Sequence, residues 1–184
     1  MKRNFVFAFS LLILMTTFAA TGLAQETFED PDGKYSMSLP ANWIGIVNKD
    51  GLGRNDVNIV YKVRENGALK IRVVDGADGK MDVLEFAAKD ESDRVRFYPK
   101  YDKLALEKFV IGAGKAGALL SCDYFSTSGQ PFTARIYYLR TDEKTIYVLQ
   151  FTGRKNILST LRSHTDAIAR SFKITGGKAD GKAK

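Results

Sequence analysis

The stretch Thr145–Thr152, TIYVLQFT, is apolar on both of its faces: Ile146 and Val148 alternate with Tyr147, Leu149 and Phe151. Side chains along a strand point to opposite faces in turn, so a strand apolar on both sides needs a covering layer on each. That excludes a two-layer sheet with one wet face. The neighbouring β-patterned runs are Leu104–Ile111, Ala116–Phe125 and Phe132–Leu139, and the breaks GAGK, STSGQP and RTDEK are turn chemistry. Parallel neighbours need crossovers of a dozen or more residues, so the sheet is expected to be largely antiparallel.

Two helical patterns are available as cover. In Met81–Val95, Val83, Leu84, Ala87 and Ala88 recur at helical spacing, with Asp82 and Glu85 placed early for the helix dipole. In Asn156–Phe172, Ile157, Leu161, His164, Ile168 and Phe172 share one face, and Arg162, Asp166 and Arg170 lie opposite. The expected fold is α+β, an α/β/α sandwich with a central, largely antiparallel β-sheet covered by helices on both faces.

Nearer the N-terminus, the turn DPDG leads into YSMSL, where Tyr35, Met37 and Leu39 alternate with serines up to Pro40. A short apolar stretch, Trp43–Val47, precedes the polar, glycine-rich loop Asn48–Asp56. The runs Val57–Arg64 and Leu69–Val74 flank ENGA, which predicts a hairpin built on Asn66-Gly67.

Lys2 and Arg3 precede the uncharged apolar run Phe5–Phe18, and small Gly22 and Ala24 follow at the positions a signal peptidase reads. The expectation is a leader over residues 1–24 cleaved after Ala24, then one domain over 25–174 and a flexible tail over 175–184. The run is shorter than the roughly 20 residues of a membrane span. The chain is therefore expected to be exported, to the periplasm or beyond the cell, with no membrane span. The formal net charge of +7 includes Lys2 and Arg3 of the leader and Lys178, Lys182 and Lys184 of the tail. What remains on the domain is too little for a nucleic-acid footprint, so no nucleic-acid partner is expected. Cys122 is the only cysteine, so an apolar core rather than disulfides must hold the fold. Its phase with Ala118, Leu120 and Tyr124 marks a small buried hydrophobe.

Gly112, Gly114 and Gly117 stand at G-x-G-x-x-G spacing. A dinucleotide site needs those glycines to open a helix, yet ALLSCDYF reads as a strand, so the segment is a hairpin corner and no cofactor is expected. VDGADGKMDVLE matches a calcium loop at Asp78, Gly79 and Glu85, but Val74 and Gly76 occupy ligand positions; a loop ending in a helix N-cap is the simpler reading. His164 is the sole histidine, which excludes multi-histidine metal sites. It reads as a half-buried core residue, with a catalytic base as the alternative. No G-x-S-x-G motif occurs, and the expectation is no enzyme. RVRFYPKYDK, Arg94–Lys103, interleaves cations with aromatics. It is either a surface for an acidic partner, with candidate partner-binding residues Arg94, Arg96, Tyr98, Lys100 and Tyr101, or a connector whose aromatics tuck into the core.

Two stretches carry a family resemblance. DPDGKYSMSLPANW combines a turn, an aromatic-led strand and Leu39-Pro40-x-x-Trp43; TDEKTIYVLQFTGRKN with IARSFKI combines a strand, a polar link and a helix ending in Ser171-Phe172-Lys173. Over about Thr27–Ile174 the chain resembles the PsbP-like family, named for the extrinsic subunit of the photosystem II oxygen-evolving complex. The resemblance implies an α/β/α sandwich without a catalytic centre, acting as an accessory or assembly protein outside the cytoplasm. With one histidine, the histidine-containing metal sites proposed for some members do not carry over. The expected function is binding of a protein partner. The alternative is a module that holds a small molecule or lipid, a small apolar ligand, in a pocket between sheet and helix.

Overall fold

The computed structural model describes residues 25–111 and 116–176. The expected leader over 1–24, the expected corner at Gly112–Lys115 and the expected tail beyond residue 176 lie outside them.

Seven strands form the main sheet: β3 (Trp43–Lys49), β4 (Asn55–Tyr61), β5 (Ala68–Val74), β6 (Asp102–Val110), β7 (Ala116–Phe125), β8 (Pro131–Arg140) and β9 (Ile146–Arg154). Their spatial order is β3-β4-β5-β9-β8-β7-β6, and every pairing is antiparallel. Two meanders are thus joined where β9 returns to lie beside β5. The doubly apolar strand becomes β9, near the middle. Its Ile146 and Val148 enter one apolar cluster, and Tyr147, Leu149 and Phe151 enter the other.

The helix α1 (Val83–Asp93) covers the first face, placing Val83 and Ala87 against Ala118, Leu120, Ile136 and Tyr138. Asp82 caps it, its side chain accepting from Leu84 N at 2.8 Å, so the loop-with-cap reading of the calcium-like stretch is what forms. The second face is covered by more than a helix. The C-terminal segment breaks into α2 (Lys155–Leu158), a 3-10 turn over Ser159–Leu161 and α3 (Arg162–Ser171), where the sequence predicted one continuous helix. Thr160 Oγ1 donates back to Ile157 O at 2.7 Å, a local bond that competes with regular helix at this point.

Beside α3, a second sheet of order β1-β2-β10 completes the layer, formed by β1 (Glu26–Glu29), β2 (Tyr35–Leu39) and β10 (Lys173–Ile174). The pattern revealed β2 alone, because two- and four-residue strands exist only through their pairing with it. Here the two stretches that carried the resemblance meet. Tyr35 stacks on Phe172 with centroids 5.4 Å apart, and Ser171 Oγ accepts from Ser38 N at 2.9 Å.

Two local expectations change. The polar loop after Val47 is shorter than expected: Lys49 pairs with Asn55 and Asn48 with Asp56, which leaves only Asp50–Arg54 as the turn. The β4–β5 connection spans Lys62–Gly67, and its left-handed residue is Lys62, with φ 57°, not Asn66 or Gly67. Lys62 N donates to Asn42 O, and a Cβ on Gly67 would meet Tyr61 Cβ at 3.0 Å, so close packing explains that glycine.

Candidate functional site

The segment Arg94–Lys103 leaves α1 through a 3-10 turn, Val95–Phe97, and enters β6. Val95 is fully buried and anchors the turn, which throws Phe97 outward until it is 74% exposed. The five predicted residues then divide. Tyr98 packs on Tyr124 with centroids 4.8 Å apart, and its hydroxyl accepts from Gln150 Nε2 at 2.9 Å; burial raises its pKa, against the effect of that bond. Tyr101 donates to Glu91 Oε1 at 2.7 Å, and burial followed by that carboxylate pushes its hydroxyl well above the ordinary range. Both rings belong to the connector.

The cations divide as well. Arg94 Nε lies 3.4 Å from Asp90 and Lys103 Nζ 2.6 Å from Glu91, so helix carboxylates offset both. Lys100 follows Pro99 in a tight turn at φ 51°, its ammonium 4.6 Å from the Phe125 ring centroid. Arg96 is exposed and has no ion-pair partner among the described residues. What the fold presents outward is therefore Arg96, Phe97 and Lys100 on a braced turn. Phe97 could have been singled out in the sequence: it is the aromatic directly before Tyr98, which the fold draws half inward.

The other candidates are placed as follows. Gly117 sits inside β7, paired with Phe109 and Leu139, and opens no helix. Cys122 is fully buried, and burial pushes its thiol up to about 12, with Asp123 and Glu91 adding to the shift. His164 is half-buried beside Tyr61, at 6.2 Å edge-on, and its Nδ1 has no hydrogen-bond partner among the described residues.

A polar cleft that the strand patterns did not suggest lies on the opposite face, between β6–β8 and α2. Its volume is about 270 Å³, and Ser121, Asp123, Thr133, Arg135, Lys155 and Arg162 are among its walls. The Arg135 side chain is only 9% exposed. Its Nε donates to Thr165 Oγ1 at 3.0 Å and Tyr137 OH at 3.1 Å, and Nη2 to Asp166 Oδ1 at 2.7 Å. Asp166, expected on the solvent side of the helix, thus turns inward to pair with a buried guanidinium. Burial alone would lower the Arg135 pKa; Tyr137 and Asp166 outweigh it and hold the charge. Each Asp123 oxygen is engaged, Oδ1 accepting from Thr133 Oγ1 at 2.6 Å and Oδ2 from Lys155 Nζ at 2.7 Å. A one-residue slip in the β6–β7 register, between Lys103 and Ala105, sets Leu104 out at the cleft mouth.

No family model matches the sequence, and no curated protein matches it. Solved structures do. Cyanobacterial PsbP (CyanoP) from Synechocystis sp. PCC 6803 is 14% identical over 88% of this chain and 98% of its own, with a TM-score of 0.54. LpqN of Mycobacterium tuberculosis, involved in cell envelope biogenesis, is 12% identical over 85% and 93%, at 0.56. A Bacteroides thetaiotaomicron protein is 14% identical at 0.55, and this chain spans half of its length. What this chain shares with cyanobacterial PsbP is its architecture, an antiparallel sheet covered on both faces, and its fold is PsbP-like.

Proposed function

We propose that this protein is an exported, non-catalytic accessory or assembly factor that works by binding a protein partner. In this reading residues 1–24 are removed, 25–174 form one working domain and 175–184 trail as a tail. The observation that carries it is the turn at Arg96–Phe97. An exposed aromatic beside an unpaired arginine, on a turn braced by Val95, Tyr98 and Tyr101, has the composition of an interface hot spot. Holding the turn rigid lowers the ordering cost of docking. The fold likeness to LpqN, whose description places it in envelope biogenesis, supports an envelope setting. The partner this surface fits is apolar at its centre with an acidic rim.

The test is crosslinking pull-down of tagged protein from its native envelope fraction, comparing wild type with Arg96→Ser/Phe97→Ser. One stoichiometric partner, lost in the variant at unchanged thermal stability, is the expected result. Capture unaffected by the double substitution, or no partner above background, would overturn the reading.

A further inference from the structure

The cleft beside Arg135 carries an inference independent of the partner-binding surface. Its polar groups fall into two sets. Asp123 has both oxygens occupied, by Thr133 and Lys155, and the Thr133 hydroxyl proton is spent on it. Among the described residues, the groups left over are two guanidinium donors, a serine hydroxyl and one carboxylate, Glu107, at the exposed edge. Arg135 Nη1 carries two N–H groups, and its one contact is Ser121 Oγ at the long distance of 3.5 Å. Arg162 lines the same space with no hydrogen-bond or ion-pair partner for its guanidinium, and Ser159 adds a hydroxyl without a side-chain partner. A buried guanidinium edge left without a good acceptor is costly, and a planar acceptor with two oxygens answers it best.

Charge narrows the class. Asp123, Asp166 and Glu107 balance Arg135, Lys155 and Arg162 in number, so the cleft is near neutral and a single negative charge placed between Arg135 and Arg162 is repelled less than a double one. The cleft sits just below the usual range of small-molecule sites, which sets the ligand at roughly a dozen non-hydrogen atoms. Its walls mix polar groups with Leu104 and Ala105, where a lipid would need a mainly apolar lining. We propose that the cleft binds a small monocarboxylate, its carboxylate bridging Arg135 Nη1 and Arg162 and its remaining polar atoms meeting Ser121 and Ser159.

The test is NMR titration of ¹⁵N-labelled protein with acetate, benzoate, glucuronate and inorganic phosphate. Saturable shifts are expected for at least one carboxylate, concentrated at the Arg135 Nε–H and the amides of Ser121, Ser159 and Arg162. Arg162→Gln, on the rim and so safe for folding, should weaken that binding about tenfold, the loss of one charge-assisted hydrogen bond. Ser121→Ala tests the inner end and should weaken it by a smaller factor. No saturable shift at the cleft with any carboxylate up to about 20 mM, where even millimolar affinity would register, overturns the proposal. Tighter binding of phosphate than of every carboxylate, or carboxylate shifts unaltered by Arg162→Gln, overturns it equally.

Discussion

Asp90→Ala should detach α1 from the sheet. Asp90 carries the most buried carboxylate of α1, its side chain only 7% exposed. It accepts from Arg72 Nη2 at 2.8 Å and Tyr138 OH at 2.9 Å, and Arg94 Nε lies 3.4 Å away. The three donors lose unequally. Arg72 and Arg94 sit at the protein surface and regain water, so each pair contributes at most about 1 kcal/mol. Tyr138 is fully buried, and burial together with Asp90 keeps its hydroxyl protonated far above the ordinary range, so the O–H remains and has nowhere to donate. An orphaned buried donor costs about 1–3 kcal/mol. Alanine's better helix propensity returns about 0.5 kcal/mol. The sum is a loss of about 0.5–4.5 kcal/mol, centred near 2.5, which is roughly 5–10 °C in Tm for a domain of this size. Urea denaturation followed by far-UV circular dichroism measures it. Tyr138→Phe in the same background removes the orphan, so the double variant should lose about 1–2 kcal/mol less than the two singles added. A loss under about 0.5 kcal/mol for Asp90→Ala, or strict additivity of the pair, would refute the assignment of the cost to Tyr138.

Gly153→Ala places a Cβ 2.5 Å from Asn66 O and 2.9 Å from Asn66 C, both backbone atoms, and should cost about 1–3 kcal/mol by overpacking; an unchanged urea midpoint would contradict it. Ser171→Ala removes the acceptor of Ser38 N and the donor to Ile168 O, loosening β2 from α3, with an expected loss of about 1 kcal/mol by the same assay. The protein should unfold in alkali. Burial raises Cys122 from 9.0 to about 12 and Tyr124 from 10.0 to about 12. For an acid whose folded pKa is raised, the stability is fully present below the unfolded pKa and lost as pH rises through the folded value, here from pH 9.0 upward. In Cys122→Ala the fall in Tm should begin about one pH unit later, at the tyrosines; onset at the same pH would refute the role of the thiol.

The segment between α1 and β6 shows how far residue pattern goes toward a site. The interleaving of cations and aromatics in RVRFYPKYDK is visible in the letters, and the segment does lie at the surface. Which of its members face outward is not visible. Tyr98 and Tyr101 are drawn in by Gln150 and Glu91, and Lys103 by Glu91, partners that only folding brings near, whereas Arg94 meets Asp90 one helical turn away. Phe97, the most apolar member, is the one left out in water. The Arg135 cleft was hidden for a related reason. Ser121, Asp123, Thr133 and Arg135 alternate with apolar residues as the polar face of any strand would, and their convergence depends on the β7–β8 register and on α3 delivering Thr165 and Asp166.

Side-chain period and turn chemistry are local, and on them rest the antiparallel sheet, its two apolar faces, α1 with its Asp82 cap and the buried place of Cys122. These belong to the sequence alone, because a strand's alternation and a helix's stripe are set by backbone geometry within a few residues. The return of β9 to β5, the second sheet that zips β10 to β2, and the pairing of Arg135 with Asp166 were decided by tertiary structure. Each is a contact across many residues whose worth comes from burial and desolvation, and those exist only once the chain has closed around them.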